Sequence, residues 1–181
     1  MFIYSIFRSQ AGFVLIALIA LITLGGCVSL PPDVKPVTRF ELHRYLGKWY
    51  EIARLDHSFE RGLDHVTAEY SLRDDGGIRV LNAGYSNELQ SWKKAEGKAY
   101  FARQHDEGYF KVSFFGPFYG AYAVFALDED YQHAFVTSYN KSYLWLLSRT
   151  PVVDDHVIQS FVQKAKGLGF ETDRLIFVNQ Q

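Results

Sequence analysis

Cysteine is almost missing from this chain: Cys27 stands alone among 181 residues. A single thiol cannot close an internal disulfide, so the sequence describes no cross-linked scaffold. Charge of one sign is missing as well. The 19 Lys and Arg are offset by 20 Asp and Glu, for a formal net charge of −1. Without a basic block or an acidic tail, no nucleic-acid partner is expected. The common catalytic signatures are also missing. There is no Gly-x-Ser-x-Gly elbow, which argues against an esterase of that type, no His-Glu-x-x-His, and no glycine loop to cradle a phosphate. The histidines (His43, His57, His65, His105, His133 and His156) are scattered, without metal-ligand spacing. The nearest pair, His57 and His65, flanks the first long loop and reads as solvated. No metal, cofactor or catalytic residue is therefore expected, and the chain does not read as an enzyme.

Aromatic residues are plentiful: 15 Phe, 12 Tyr and 3 Trp. Such rings suit strands and large apolar cavities. From Gly47 onward the chain runs in short alternating segments broken by turn residues. Strands are expected over Gly47–Leu55, Val66–Leu72, Ile78–Tyr85, Trp92–Arg103, Tyr109–Phe115, Ala121–Leu127, Gln132–Tyr139 and Ser142–Arg149. Asp74-Asp75-Gly76-Gly77 supplies a tight hairpin turn. Short connections imply antiparallel neighbours, and a run of such strands can close into a barrel, which removes exposed edges. A two-sheet sandwich would need a long crossover that this spacing does not offer.

After Pro151 the period changes. Val153, Val157, Phe161, Ala165 and Leu168 recur at helical spacing, with Asp154 and Asp155 at the front, where the dipole favours acids, and Gly167 and Gly169 at the end. On the last barrel strand, Tyr143, Trp145 and Leu147 form one face, yet Leu144 and Leu146 make the other apolar too. A strand apolar on both faces needs an outer cover, and the following helix is the obvious one. Leu175–Val178 reads as a further short strand. The expected fold is all-β: an eight-stranded up-and-down antiparallel barrel, with a C-terminal α-helix packed outside and a short extra strand.

The apolar face of each strand gives the expected interior: Val66, Ala68, Tyr70, Val80, Asn82, Ala99, Phe101, Val112, Phe114, Tyr122, Val124, Val136, Tyr143 and Trp145. Small residues leave room, aromatic ones give grip, and the polar tips of Asn82, Tyr122 and Tyr143 could orient a head group. The same list could simply fill the barrel as core. Arg54, Arg61 and Lys94 are cations that could meet a head group at the open end.

The N-terminus has its own pattern. Arg8 precedes an apolar stretch from Ala11 to Leu24, and Leu24-Gly25-Gly26-Cys27 closes it. A positive start, an apolar middle and a small-residue cleavage site make a secretory signal. The stretch is shorter than the ~20 residues a membrane span needs. Leu24-Gly25-Gly26-Cys27 resembles the lipobox of bacterial lipoproteins, with Gly25 where Ala or Ser is more usual. That resemblance implies a signal peptide over residues 1–26 and a diacylglycerol on the Cys27 thiol, the strong nucleophile that such alkylation requires. Val28 stands where an Asp would favour inner-membrane retention, so the resemblance implies the outer membrane, with the domain facing the periplasm. Residues 27–38, with three prolines, read as a lipidated N-terminus and tether. Residues 39–181 read as the folded domain.

That domain is identified as a lipocalin similar to the bacterial members. Gly47-Lys48-Trp49 matches the G-x-W signature on the first strand. Thr137-Ser138-Tyr139 sits where the family often has T-D-Y, with Ser replacing Asp, and Arg149 ends the last barrel strand. The resemblance gives Gly47, Trp49 and Arg149 structural roles, Trp49 plugging the closed end and Arg149 packing across it. It implies an open cavity, a carrier function, and fatty acids or lysophospholipids as ligands. Two other readings stay open: catalysis acquired inside the barrel, and a non-catalytic envelope scaffold with a filled barrel. The aromatic loop Gly116 to Gly120 supports the scaffold, and it could equally seal a homodimer or touch the bilayer.

Overall fold

Short turns and alternating strands leave the backbone one direct way to satisfy its hydrogen bonds: each strand pairs with the next, and the last returns to the first. The computed structural model describes residues 29–181. Its barrel strands are β1 (Gly47–Arg54), β2 (Leu63–Leu72), β3 (Ile78–Ser86), β4 (Ser91–Phe101), β5 (Tyr109–Ser113), β6 (Gly120–Leu127), β7 (His133–Thr137) and β8 (Leu144–Ser148). They pair in chain order, β8 pairs with β1, and β1 with β2, which closes the barrel. Across the closure Trp49 stands opposite Ala68, and Tyr50 opposite both Thr67 and Ser148. Every pairing is antiparallel, as expected for an up-and-down barrel. A short β9 (Ile176–Phe177) lies outside against Ala53 and Arg54 of β1.

Strand ends differ from expectation where alternation breaks. The second strand begins at Leu63, ahead of Val66, because a bulge with His65 at φ 51° interrupts the period between Asp64 and Thr67. His65 and His57 part company here: His57 is only 6% exposed, so it is not the solvated loop residue expected.

Two short helices finish the domain. The C-terminal one, α2 (Asp155–Gly167), lays Val157, Phe161 and Ala165 over Ala53, Phe135, Leu144 and Leu146, the cover that the second apolar face of β8 calls for. The small α1 (Leu42–Tyr45) precedes β1 and caps one end of the barrel. Beneath it Trp49 is fully buried, its indole N–H donating to the Tyr45 carbonyl at 2.8 Å. The Arg149 guanidinium lies 3.9 Å from the Trp49 ring and donates to the carbonyls of Arg44, Leu46 and Lys48. Gly47 holds φ +94°, which disfavours any side chain there. The β1–β2, β3–β4, β5–β6 and β7–β8 loops gather at the other end, the mouth.

The segment expected to be a tether is seated on the barrel along part of its length. Val34 is buried with Phe125, Phe135 and Phe170. The Val37 N–H donates to the Val124 carbonyl at 2.8 Å, and its carbonyl accepts from Gly108 at 2.9 Å. Prolines suit this because an extended strap can dock without joining a sheet. The folded unit therefore includes residues ahead of 39. Among the described residues the closed barrel, its two α-helices and the four apolar clusters pack within residues 30–181, so this portion folds as a unit. The signal peptide and Cys27 lie outside the described residues.

Candidate functional site

Inward side chains of a small barrel meet near its axis unless small residues hold them apart. Here Ala68, Ala99 and several valines alternate with aromatic rings, and a cavity of about 640 Å³ remains. That is room for a small organic ligand. Val66, Ala68, Tyr70, Val80, Asn82, Ala99, Val112, Phe114, Tyr122, Val136, Tyr143 and Trp145 all border it. Phe101 and Val124 do not. Phe101 sits at the closed end of β4, its ring tilted against Phe110 at 4.7 Å and His105 at 4.6 Å. Val124 is fully buried in the core that fills the closed end, where its backbone carbonyl meets Val37. Alternation gives the face a residue occupies but not its depth along the axis.

The cavity floor is uncharged, and its polar groups satisfy one another. The Tyr122 hydroxyl lies 2.7 Å from that of Tyr45 and 2.8 Å from that of Tyr70. Burial raises the pKa of all three phenols, so the floor stays neutral. Higher up, the Asn82 side-chain oxygen is buried without a hydrogen-bond partner.

Nearer the mouth is a buried polar cluster that the interior list missed. A bulge in β1 between Glu51 and Ala53 brings Glu51 and Arg54 together, at 2.7 Å, although the two would point to opposite faces of a regular strand. Arg54 also donates to the carbonyls of Glu60 and Leu63. Glu60 accepts from the Trp145 indole N–H at 3.0 Å and lies 3.0 Å from His57 Nε2. The imidazole is not aligned to donate along that line, and both its nitrogens are buried without a hydrogen-bond partner. One signal was available: Glu51 follows Trp49 by one alternation, so it shares the inward face.

Burial, reinforced by the charge of Glu60, pushes the Glu51 carboxyl well above its usual range against the pull of Arg54. Burial also works to raise Glu60, but contacts with His57, Glu51 and Trp145 outweigh it and hold Glu60 lower. A carboxyl whose folded pKa is raised stabilises the protein while protonated, and that contribution is lost as pH rises through the folded pKa. Glu51→Gln is therefore expected to flatten the decline in melting temperature that the unaltered protein undergoes as pH rises from the ordinary carboxylate range to the raised pKa of Glu51. Parallel melting curves for the two proteins across pH would show Glu51 already ionised.

Of the expected head-group cations, Arg54 is committed to Glu51, and Arg61 pairs with Asp56 at 2.8 Å on the surface. Lys94, with Lys93, borders the cavity from β4, on the wall across the barrel from β8. Around the mouth Phe59, Leu89, Trp92, Phe115 and Phe118 are exposed, the last at 76%. Among the described residues no group of three or more His, Cys, Asp or Glu side chains is placed to hold a metal ion.

Comparison with known proteins agrees with this architecture. Residues 40–180 match the family model of the lipocalin-like domain. An outer membrane lipoprotein Blc of Vibrio cholerae is 62% identical over 161 residues, covering 88% of this chain and 94% of the relative. Its Escherichia coli counterpart is 53% identical over 150 residues, covering 83% and 85%. In solved structures the fold recurs in insecticyanin from the tobacco hornworm Manduca sexta, with TM-score 0.67 and 23% identity over 83% of this chain and 86% of that one. The outer-membrane lipoprotein assignment read at Cys27 is the one these bacterial relatives carry in their names. The chain belongs to the lipocalin family, among its bacterial outer-membrane lipoproteins.

Proposed function

We propose that this protein carries or stores single-chain lipids, fatty acids or lysophospholipids, with the acyl chain inside the barrel. The observation that carries the reading is the cavity itself, largely apolar along its walls, closed by a neutral trio of tyrosine hydroxyls at its floor, and charged only toward the mouth. A saturated chain of sixteen methylenes would gain at most about 13 kcal/mol from burial, at ~0.8 kcal/mol each, before ordering costs. Such a gross term leaves ample margin for micromolar or tighter binding. Residues 1–26 act as a signal peptide in this reading, and lipidated Cys27 anchors the domain to the outer membrane, facing the periplasm. Acyl chains on the anchor add about 0.8 kcal/mol per buried CH₂, so two or three together hold firmly. The role is non-catalytic; turnover of lysophospholipid by the purified protein would reverse that statement.

The test is a titration of residues 29–181 with a fatty acid and its lysophospholipid, following tryptophan emission. Trp145 borders the cavity, so saturable quenching is expected, and Trp145→Phe should remove most of it. A folded β spectrum with no ligand response would favour the second reading, a scaffold whose exposed Phe115 and Phe118 meet a partner, the bilayer or a second copy. Concentration-dependent mass in solution separates the second copy from the others.

A further inference from the structure

Exposed apolar side chains are not spread evenly over the barrel. Each connection at the mouth presents at least one: Phe59 between β1 and β2, Leu89 and Trp92 where β3 turns into β4, Phe115 and Phe118 between β5 and β6, and Tyr139 between β7 and β8. At the closed end only Leu72 and Val152 are comparably exposed among the described residues. Single surface rings need no explanation, but a circle of them around one opening marks a contact surface. On the outer wall beside the rim, Trp92 packs against Tyr85 at 5.7 Å and His65 at 6.2 Å. Rings with an apolar body and a polar edge suit the head-group level of a bilayer. Lys93 and Lys94 are exposed on the same rim, where they can meet lipid phosphates. Two of the acids there are engaged, Asp56 by Arg61 and Asp64 by Asn87.

The course of the N-terminal strap points to the partner. Phe40 is held at the closed end, by the Asp106 carbonyl in the β4–β5 loop. Val37 is bonded to Val124, and farther back Leu30 packs with Tyr109, Ala121 and Ala123, the two alanines lying in the half of β6 that begins at the mouth. The Asp33 carboxylate lies 3.9 Å from Lys141 Nζ in the β7–β8 loop of the rim. The strap therefore climbs from the closed end toward the mouth as it runs back to Ser29. Cys27 is two residues farther, and two extended residues span at most about 7 Å. An acyl anchor on that thiol enters its membrane on the side of the barrel that carries Phe115 and Phe118, the two most exposed large apolar side chains described. A bilayer held at that distance is always at hand, whereas a second copy must arrive by diffusion.

We propose that the rim is a bilayer-docking surface: Phe59, Leu89, Trp92, Phe115 and Phe118 seat in the head-group region of the membrane that holds Cys27, so the barrel opens onto lipid. The anchor is taken from the function proposed above. The docking adds an orientation to it, mouth toward the membrane, and makes no demand on what the cavity holds.

The experiment uses residues 29–181, which contain neither the anchor nor any cysteine, so docking is measured apart from anchoring. Phe118→Cys at the rim and Leu72→Cys at the closed end each supply one thiol for an environment-sensitive nitrobenzoxadiazole label. Vesicles of phosphatidylethanolamine and phosphatidylglycerol are expected to raise emission several-fold at position 118 and to leave position 72 unchanged. A fatty acid added without vesicles should leave the label at 118 unchanged; an equal rise would mean that it reads cavity filling, and would overturn docking. Phe115→Ser combined with Phe118→Ser is expected to lower vesicle binding in sedimentation at least about tenfold, with quenching of Trp145 by fatty acid retained. Leu72→Ser should bind vesicles as the unaltered protein does. All three positions are exposed, and circular dichroism checks that the barrel is kept. Equal emission changes at 118 and 72, or vesicle binding indifferent to the paired substitution, overturns the proposal. So does a solution dimer that Phe118→Ser dissolves in the absence of any vesicle binding, which assigns the rim to a second copy. Docking at the rim without any response to fatty acid would sink the carrier reading alone.

Discussion

Trp49→Ala is expected to lower the stability of this protein by about 3–5 kcal/mol, the usual cost of emptying a large buried aromatic site. The position collects several losses at once. The ring is fully buried, lies 4.8 Å from Tyr45 and supports the Arg149 guanidinium at 3.9 Å. Its removal also deletes the hydrogen bond to the Tyr45 carbonyl. The cation–π contact alone contributes about 0.5–2 kcal/mol. Arg149 would keep its carbonyl partners on Arg44, Leu46 and Lys48, so the barrel should still close, with a weakened floor. Urea unfolding followed by far-ultraviolet circular dichroism measures the change. A midpoint within error of the unaltered protein would mean that the closed end contributes little to stability.

The second large effect is on binding. Ala68 stands between Trp49 and Asn82 in the sheet register, and its methyl group borders the cavity. Ala68→Phe places a phenyl ring in space that an acyl chain would use. Displacing about four methylenes at ~0.8 kcal/mol each forfeits roughly 3 kcal/mol, or about a hundredfold in affinity. Stability should change little, since the ring enters open volume. In a filled barrel the same substitution would overpack the core and cost about 1–3 kcal/mol. Unfolding and fatty-acid titration of this one variant thus separate the carrier from the filled scaffold. Loss of stability with no effect on a measurable affinity would contradict the carrier reading.

The barrel was legible because its physics is repetitive. Alternation in Phe110, Val112 and Phe114, or in Ile78, Val80 and Asn82, assigns a face, and short turns assign the pairing. Both apolar faces of Leu144 to Leu147 pointed to the outer helix, and Leu144 and Leu146 indeed meet Val157, Phe161 and Ala165. Depth along the axis is not a periodic property, and for that reason alternation assigns Phe101 and Val124 to the cavity wall although they lie in the packed end. The mouth-side cluster was less legible still. Glu51 and Arg54 meet through a bulge, and His57 and Glu60 come from a loop whose path follows from no local pattern. The strap at Val34 and Val37 is not legible for a related reason: prolines describe an extended chain but not what it lies against.

That strap has a mechanical consequence. A pull on the N-terminus does not act on the barrel strands directly. It is first borne where Val34 packs with Phe125, Phe135 and Phe170, then at Val37, whose backbone is bonded to Val124 and Gly108, and next at Phe40, whose N–H is held by the Asp106 carbonyl. The load must pass these points before reaching α1 and Trp49. A tug arriving from the N-terminal side would therefore be absorbed at the outer seam, and the floor of the cavity would keep its shape.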